Sequence, residues 1–424
     1  MTSIAEIRQT LMSWIDDDRD SILQFMQTLV RARSPNPPGD TREVMNLVRS
    51  YLDSLGIDYA MFNRDETMPN LVAARTFGPG DKHLVLNGHI DVFPVETSEG
   101  WSQDPWDGRV EGTIWGRGSA DMKVGTTASI MTYVYLMRLA AHFAGRLTLT
   151  VVSEEESFGP NGARHLFDAC PELILGTGLL NGEPSGASVV RFGEKGALWL
   201  RMTVQTPGGH GAYPHLSPNA IEKAFELIGD LKKLSDIEFE EPEVVVSALE
   251  QSREEYDRAY GDGASDLARK VTMNIGTIAG GSRVNMIASR CSFDVDIRLP
   301  NGVDADDLLA RIEGLRDRHQ FTYEVILLNR PNWTDPDYEL AQIVAETAAE
   351  ITSIRPVPAV SLGNTDARLW RYQKIPSVVY GPSPRGMGST NEHVPAEEAL
   401  NVVRCHVASA AAYLFRQNGE KSSA

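Results

Sequence analysis

His83-Leu84-Val85-Leu86-Asn87-Gly88-His89-Ile90-Asp91 is an apolar run that ends abruptly in polar, reactive residues. Leu84, Val85 and Leu86 do not alternate with polar neighbours. That is the pattern of a strand covered on both faces, as in a mainly parallel sheet. Leu71-Val72-Ala73-Ala74 before it and Leu147-Thr148-Leu149-Thr150-Val151-Val152 after it repeat the pattern, with a helical segment at about 123–142 between them. Strands of this kind separated by helices predict an α/β domain. Upstream, apolar residues at helical spacing run from about 4 to 33 and stop at the loop Ser34–Asp40, which contains three prolines. Residues 42–55 read as another helix.

The pattern changes after about residue 194. Leu198-Trp199-Leu200-Arg201-Met202-Thr203-Val204 alternates, as a strand covered on one face does. A helix at about 218–234, strands near 271–279 and 289–299, a helix at about 304–319 and a strand at 321–328 follow. Strand–helix–strand–strand–helix–strand is the split βαβ, ferredoxin-like order. The first pattern returns with a helix near 337–352, a strand near 376–380 and a helix near 396–416. The expected organisation is therefore an α/β domain in two parts, 1–193 and 330–424, with an α+β domain at 194–329 inserted between them. Glu238–Glu243 reads as a solvated acidic loop.

Composition narrows the function. The 424 residues include 58 acids against 40 Lys and Arg, a net charge of −18. That field repels phosphate backbones and argues against nucleic-acid partners. Three dispersed cysteines, Cys170, Cys291 and Cys405, exclude a disulfide scaffold and a thiolate zinc site, and fit a reducing compartment. No basic-then-apolar leader and no apolar run of about 18 residues is visible, so a cytoplasmic protein without membrane contact is expected.

The chemistry-bearing clusters follow predicted buried strands, where open α/β sheets place their ligands. His89 and Asp91 are two apart on an extended chain and point to one side. Trp115-Gly116-Arg117-Gly118-Ser119-Ala120-Asp121-Met122-Lys123 puts an acid at the threshold of a helix, either as an N-cap or as a ligand. Ser153-Glu154-Glu155-Glu156 sets three acids at a strand end, an exposed turn unless a cation meets them. Asn181-Gly182-Glu183-Pro184 and Thr390-Asn391-Glu392-His393 are weak signals alone. Together, one imidazole and several carboxylates converging on one sheet edge suit zinc, cobalt or manganese. Asp121, Glu156 and Glu183 supply three negative charges against four positive charges of two divalent ions, and a hydroxide brings the set near neutrality.

These motifs resemble the di-zinc amidohydrolases that include aminoacylase, acetylornithine deacetylase, succinyl-diaminopimelate desuccinylase and carboxypeptidase G. The resemblance runs from the Ser34–Asp40 loop to the final helix. It implies that His89 binds a first ion, Asp121 bridges two ions, and Glu183 completes the first site. Glu156 would bind the second ion, Glu155 would be the general base, and Asp91 would support the site. It also implies a cis Asp121–Met122 peptide. Pro207-Gly208-Gly209-His210-Gly211 is similar to the family's lid motif, which gives His210 an oxyanion role, and the inserted domain a lid and dimerisation role. Asn285 and Arg298 become substrate contacts, with an ion pair inside the domain as the other reading of Arg298. His393, four positions before Glu397, is expected as the last ligand of the second ion. Alignment through Glu392 would put Gly388 there instead.

The resulting expectation is a homodimeric dinuclear metallohydrolase, with two zinc or cobalt ions, acting on an N-acyl amino acid, a small amide or a short peptide. A metal-dead binding protein of the same fold and a dinuclear aminopeptidase are the competing readings.

Overall fold

Strand His83–His89 lies inside the sheet of the first unit, with every residue after His83 buried. Gly145–Val152 and Gly178–Asn181 flank it, both parallel to it. Ser377–Val379 continues the parallel run beside Gly178–Asn181. The margins are antiparallel: Asn70–Gly78 and Ala60–Phe62 on one side, Val189–Glu194 on the other. The sheet is therefore mixed, and parallel where it matters. Four neighbouring strands run the same way, so their carboxyl ends open on one edge.

The computed structural model describes residues 3–97, 100–108 and 111–416. The chain divides into two units, 1–192 with 334–359 and 365–424, and 193–333 with 360–364.

Both faces of the first sheet are covered. Leu84, Leu86 and Leu149 share one cluster with Tyr133 of helix Val124–Arg138 and Val403 of helix Ala396–Leu414. Val85, Val152 and Leu179 face a second cluster with Leu166, Ile174 and Trp370. Burying each such side chain stabilises by about 2 kcal/mol. Every residue from Val124 to Leu136 is buried, so this helix is an internal one. It approaches the sheet edge through paired glycines. A Cβ on Gly125 would stand 1.9 Å from the Gly182 carbonyl oxygen, so a larger residue would push the helix off the Glu183 turn.

The N-terminal helical run is two helices, Ile4–Asp17 and Arg19–Arg31. Asp18 breaks it with ψ 4°, and its carboxylate accepts from Tyr135 Oη at 3.0 Å and Arg138 Nη1 at 3.3 Å.

The second unit has an antiparallel sheet ordered Thr272–Gly280, Arg290–Leu299, Gly196–Gln205, Phe321–Asn329. Leu198, Leu200 and Met202 alternate inward and pack with Leu227 of helix Ala220–Lys232 and Leu308 of helix Ala305–Glu313. Helix Glu243–Tyr260 starts where the acidic loop was expected to end. Its buried Val245, Ala248, Leu249, Ser252 and Tyr256 form one helical stripe that the run of three valines disguises. All three cysteines are free and buried. Among the described residues no helix is long and apolar enough to cross a membrane.

Candidate metal centre

His89 closes its strand fully buried, and Asp91 follows it on the same side. The Nδ1 atom of His89 lies 3.0 Å from the Asp91 carbonyl oxygen. Its Nε2 lies 3.3 Å from Asp121 Oδ1 and 3.2 Å from Glu183 Oε1, yet makes no hydrogen bond. Burial alone would push the imidazole pKa down, but the charges of Glu183, Asp121 and Asp91 outweigh it and hold the pKa well above the usual value.

Each acid reaches this point by a local device. Asp121 sits in a five-residue irregular helical turn, Ser119–Lys123, before the buried helix, and its peptide with Met122 is cis. The Ala120 and Asp121 amides donate to Glu392 Oε1 at 2.9 and 3.1 Å. Glu392 is wholly buried and is paired with Arg117, whose Nη2 also donates to the Ser389 carbonyl at 2.9 Å. Burial, against the pull of Arg117, still pushes the Glu392 carboxyl up to about 7.

The triple Glu is sorted by backbone. Glu154 takes a positive φ of 63°, and its carboxylate turns away to accept from Asn161. The next two residues then face the cluster. Their amides donate to Asp91, Glu155 to Oδ1 and Glu156 to Oδ2, both at 3.1 Å. Asn36, from the proline loop, also donates to Asp91 Oδ2 at 2.9 Å. Burial would raise the Asp91 carboxyl, but His89 and these donors hold it below the usual range. Glu183 follows Asn181, whose Oδ1 accepts from the Glu183 amide at 2.8 Å. A relay of Asn181, Asn87 and Thr150 side chains ties three of the four parallel strands together behind the site.

Two groupings have ligand-capable atoms within 4.8 Å of one another: His89, Asp121, Glu156 and His89, Glu155, Glu183. Burial, then neighbouring carboxylates, pushes Glu155 and Glu156 well above the usual range and Glu183 up to about 7. A site whose acids resist ionisation and whose imidazole nitrogen is unpartnered fits divalent cations, which would relieve both.

His393 stands outside both groupings. Strand His393–Pro395 pairs with Thr113–Trp115, and the His393 ring stacks on Trp115 at 5.6 Å between centroids. Its Nδ1 meets the Asn391 carbonyl oxygen at 2.7 Å. In this extended segment Glu392, not His393, faces the Asp121 turn.

His210, Asn285 and Arg298 belong to the second unit. His210 is exposed on a two-residue strand, and its Nδ1 accepts from the Ala212 amide at 3.2 Å. Asn285 is exposed, and its carbonyl accepts from the Gly211 amide at 2.8 Å. Arg298 forms a two-point ion pair with Asp296, the other reading its sequence left open. Asn36, Glu392 in its anchoring role, Asp366 and Arg368 also build the surroundings of the site. Sequence reasoning alone does not single out these roles.

Residues 85–412 match the family model described as peptidase family M20/M25/M40. Succinyl-diaminopimelate desuccinylase of Cereibacter sphaeroides is 28% identical over 377 residues, covering 86% of this chain and 92% of that protein. The same enzyme of Nitrosomonas europaea is 27% identical, covering 91% and 97%. The fold is shared with an M20 family metallo-carboxypeptidase of Sulfolobus solfataricus, with TM-score 0.79, 17% identity and coverage of 92% and 99%. It is also shared with a Bacillus subtilis protein described as a dinuclear metal-binding peptidase from the M20 family, with TM-score 0.63, 15% identity and coverage of 93% and 98%. The chain belongs to peptidase family M20/M25/M40 and is a metal-dependent hydrolase of amide or peptide bonds.

Proposed function

We propose that the chain cleaves the amide bond of an N-acyl amino acid, a related small amide or a small peptide. The observation that carries the reading is His89, a buried imidazole whose Nε2 makes no hydrogen bond and faces Asp121 and Glu183. His89, Asp121 and Glu183 would hold one divalent ion, and Asp121 with Glu156 a second, zinc before cobalt. When bound, such ions polarise an acyl oxygen and lower the pKa of water. Glu155 takes a proton from the attacking water and delivers it to the amine nitrogen as the C–N bond breaks. Burial raises the affinity of Glu155 for a proton, which suits a group that must hold one between those two events. Asp91 keeps the Glu155–Glu156 turn and the His89 ring in register. From the resemblance, His210 donates to the developing oxyanion, Asn285 and Arg298 meet the substrate, and the second unit pairs with a second copy.

The test has two readouts. Metal per chain is measured by plasma mass spectrometry after dialysis against dilute zinc, and about two ions are expected. Release of amine is then followed from N-succinyl-diaminopimelate, N-acetyl amino acids and dipeptides with free or blocked N-termini. Turnover of an N-acyl amino acid or of a dipeptide with a blocked N-terminus supports the reading. Cleavage that requires a free N-terminus favours the aminopeptidase. Retained metal without turnover of any amide favours a binding protein.

A further inference from the structure

Glu155 is near enough to His89 and Glu183 to be a third ligand rather than a proton carrier. Something must hold it back. Arg368, on the short helix Ala367–Tyr372, is the one cation that ion-pairs with Glu155 among the described residues, with Nη1 at 3.5 Å from Oε1. It is only 1% exposed, so it acts through its neighbours and not on bulk ligand. Nη1 also donates to the Thr365 carbonyl and lies 3.8 Å from Asp366 Oδ1. The guanidinium stands 4.7 Å over the Phe158 ring, and Phe158 closes the Glu155 turn with its amide on the Glu155 carbonyl. Two buried atoms of this pair, Arg368 Nε and Asp366 Oδ2, have no hydrogen-bond partner. An arginine is always charged, and a buried one keeps its place only when acids surround it.

We infer that Arg368, fixed by Asp366, is the positioning residue that ties Glu155 away from the metal-binding set and leaves it free to carry the proton. The inference rests on the base reading of Glu155. The single Nη1 donor, 3.5 Å from Oε1, sets the rotation of the carboxylate, and the other oxygen is left for the water. Without that donor, Glu155 turns towards His89 and Glu183 and becomes a ligand.

The test uses the zinc-loaded enzyme with the amide it turns over best from the panel above. In Arg368→Met, kcat is expected to fall about 100-fold, within the range for a misplaced general base, while KM stays within about threefold. Zinc affinity, read by chelator competition, is expected to rise, and to return to the wild-type value in Arg368→Met with Glu155→Gln. Arg368→Lys keeps the buried charge and guards against a folding failure; its kcat should fall about tenfold with an unchanged melting curve. Wild-type kcat in Arg368→Lys, or zinc affinity that does not rise in a folded Arg368→Met, overturns the inference alone, provided Glu155→Gln is inactive. Ordinary turnover in Glu155→Gln, or no turnover of any amide by the wild type, removes the base reading and the inference with it.

Discussion

Asp230 in the second unit is met by Lys233, Arg318 and His319 at 2.7–2.8 Å, and Asp294 by Arg201 at 2.9 Å. Lys233 and His319 lead in holding the Asp230 carboxyl down to about 2. In the first unit Glu155, Glu156 and Glu183 crowd around one imidazole, and burial drives their affinity for protons up. The two arrangements use the same residue types. An acid held by close bases is a finished structural contact. The three acids that share one ring carry more negative charge than it can balance, and Arg368 approaches Glu155 no closer than 3.5 Å. Buried Glu392, beside this cluster, is paired with Arg117, and its work is anchoring.

The largest effect should come from Glu155→Gln. Turnover is expected to drop by at least about 1,000-fold with metal content unchanged, measured as initial rate and zinc per chain. Loss of metal instead would make Glu155 a ligand and blur the contrast. Removing an anchor comes next. Glu392→Ala leaves Arg117 buried without its acid and two amides without an acceptor, a cost of about 3–5 kcal/mol in urea unfolding. An unchanged midpoint would mean that the loop carrying Glu392 holds itself.

Metal removal reads the contrast through pH. Glu183 in the metal-free fold titrates near 7 against an ordinary 4.5. Its folded pKa lies above its unfolded one, so the stability it contributes is full below about 4.5 and is lost as pH rises through about 7. Chelated protein should therefore melt at a lower temperature at about pH 7.5 than at about pH 5.5. Added zinc should raise the melting temperature more at the higher pH, because the ion replaces protons. A metal effect independent of pH would mean that the acids are not titrating together. The smallest effect belongs to His393→Ala. Loss of its stack on Trp115 should cost about 1 kcal/mol, with zinc per chain unchanged. A lost ion would return His393 to the ligand set.

Much of this was legible before any coordinates. His89, Glu155, Glu156 and Glu183 each lie just beyond an apolar run, and a buried run that ends in acid shows itself in one dimension. Asp366 and Arg368 do not show themselves this way. The strand before them, Val357–Ser361, is short and holds Pro358, so no apolar run marks it. Asn36 hides in a proline loop whose path the chain alone does not reveal. Glu392 and His393 illustrate a sharper limit. On extended backbone, a shift of one residue turns every side chain to the other face. One alignment kept His393 with Glu397, and the other kept Glu392 but put Gly388 where the imidazole belongs; in the structure Glu392 accepts from the Asp121 turn while His393 stacks on Trp115. Helix Glu243–Tyr260 was hidden by composition: three consecutive valines carry no helical period.

The bond from the Asp121 amide to Glu392 spans 271 positions. A ribosome delivers a chain from its N-terminus, and at typical rates that span takes on the order of tens of seconds. During that interval Asp121 has emerged but the residue that seats it has not been made, and strand Gly178–Asn181 waits for its neighbour Ser377–Val379. A growing chain thus carries the acids of a hydrolase without the seating of the Asp121 turn. Completion of the last loop, rather than translation of the motifs, is the step that completes this site.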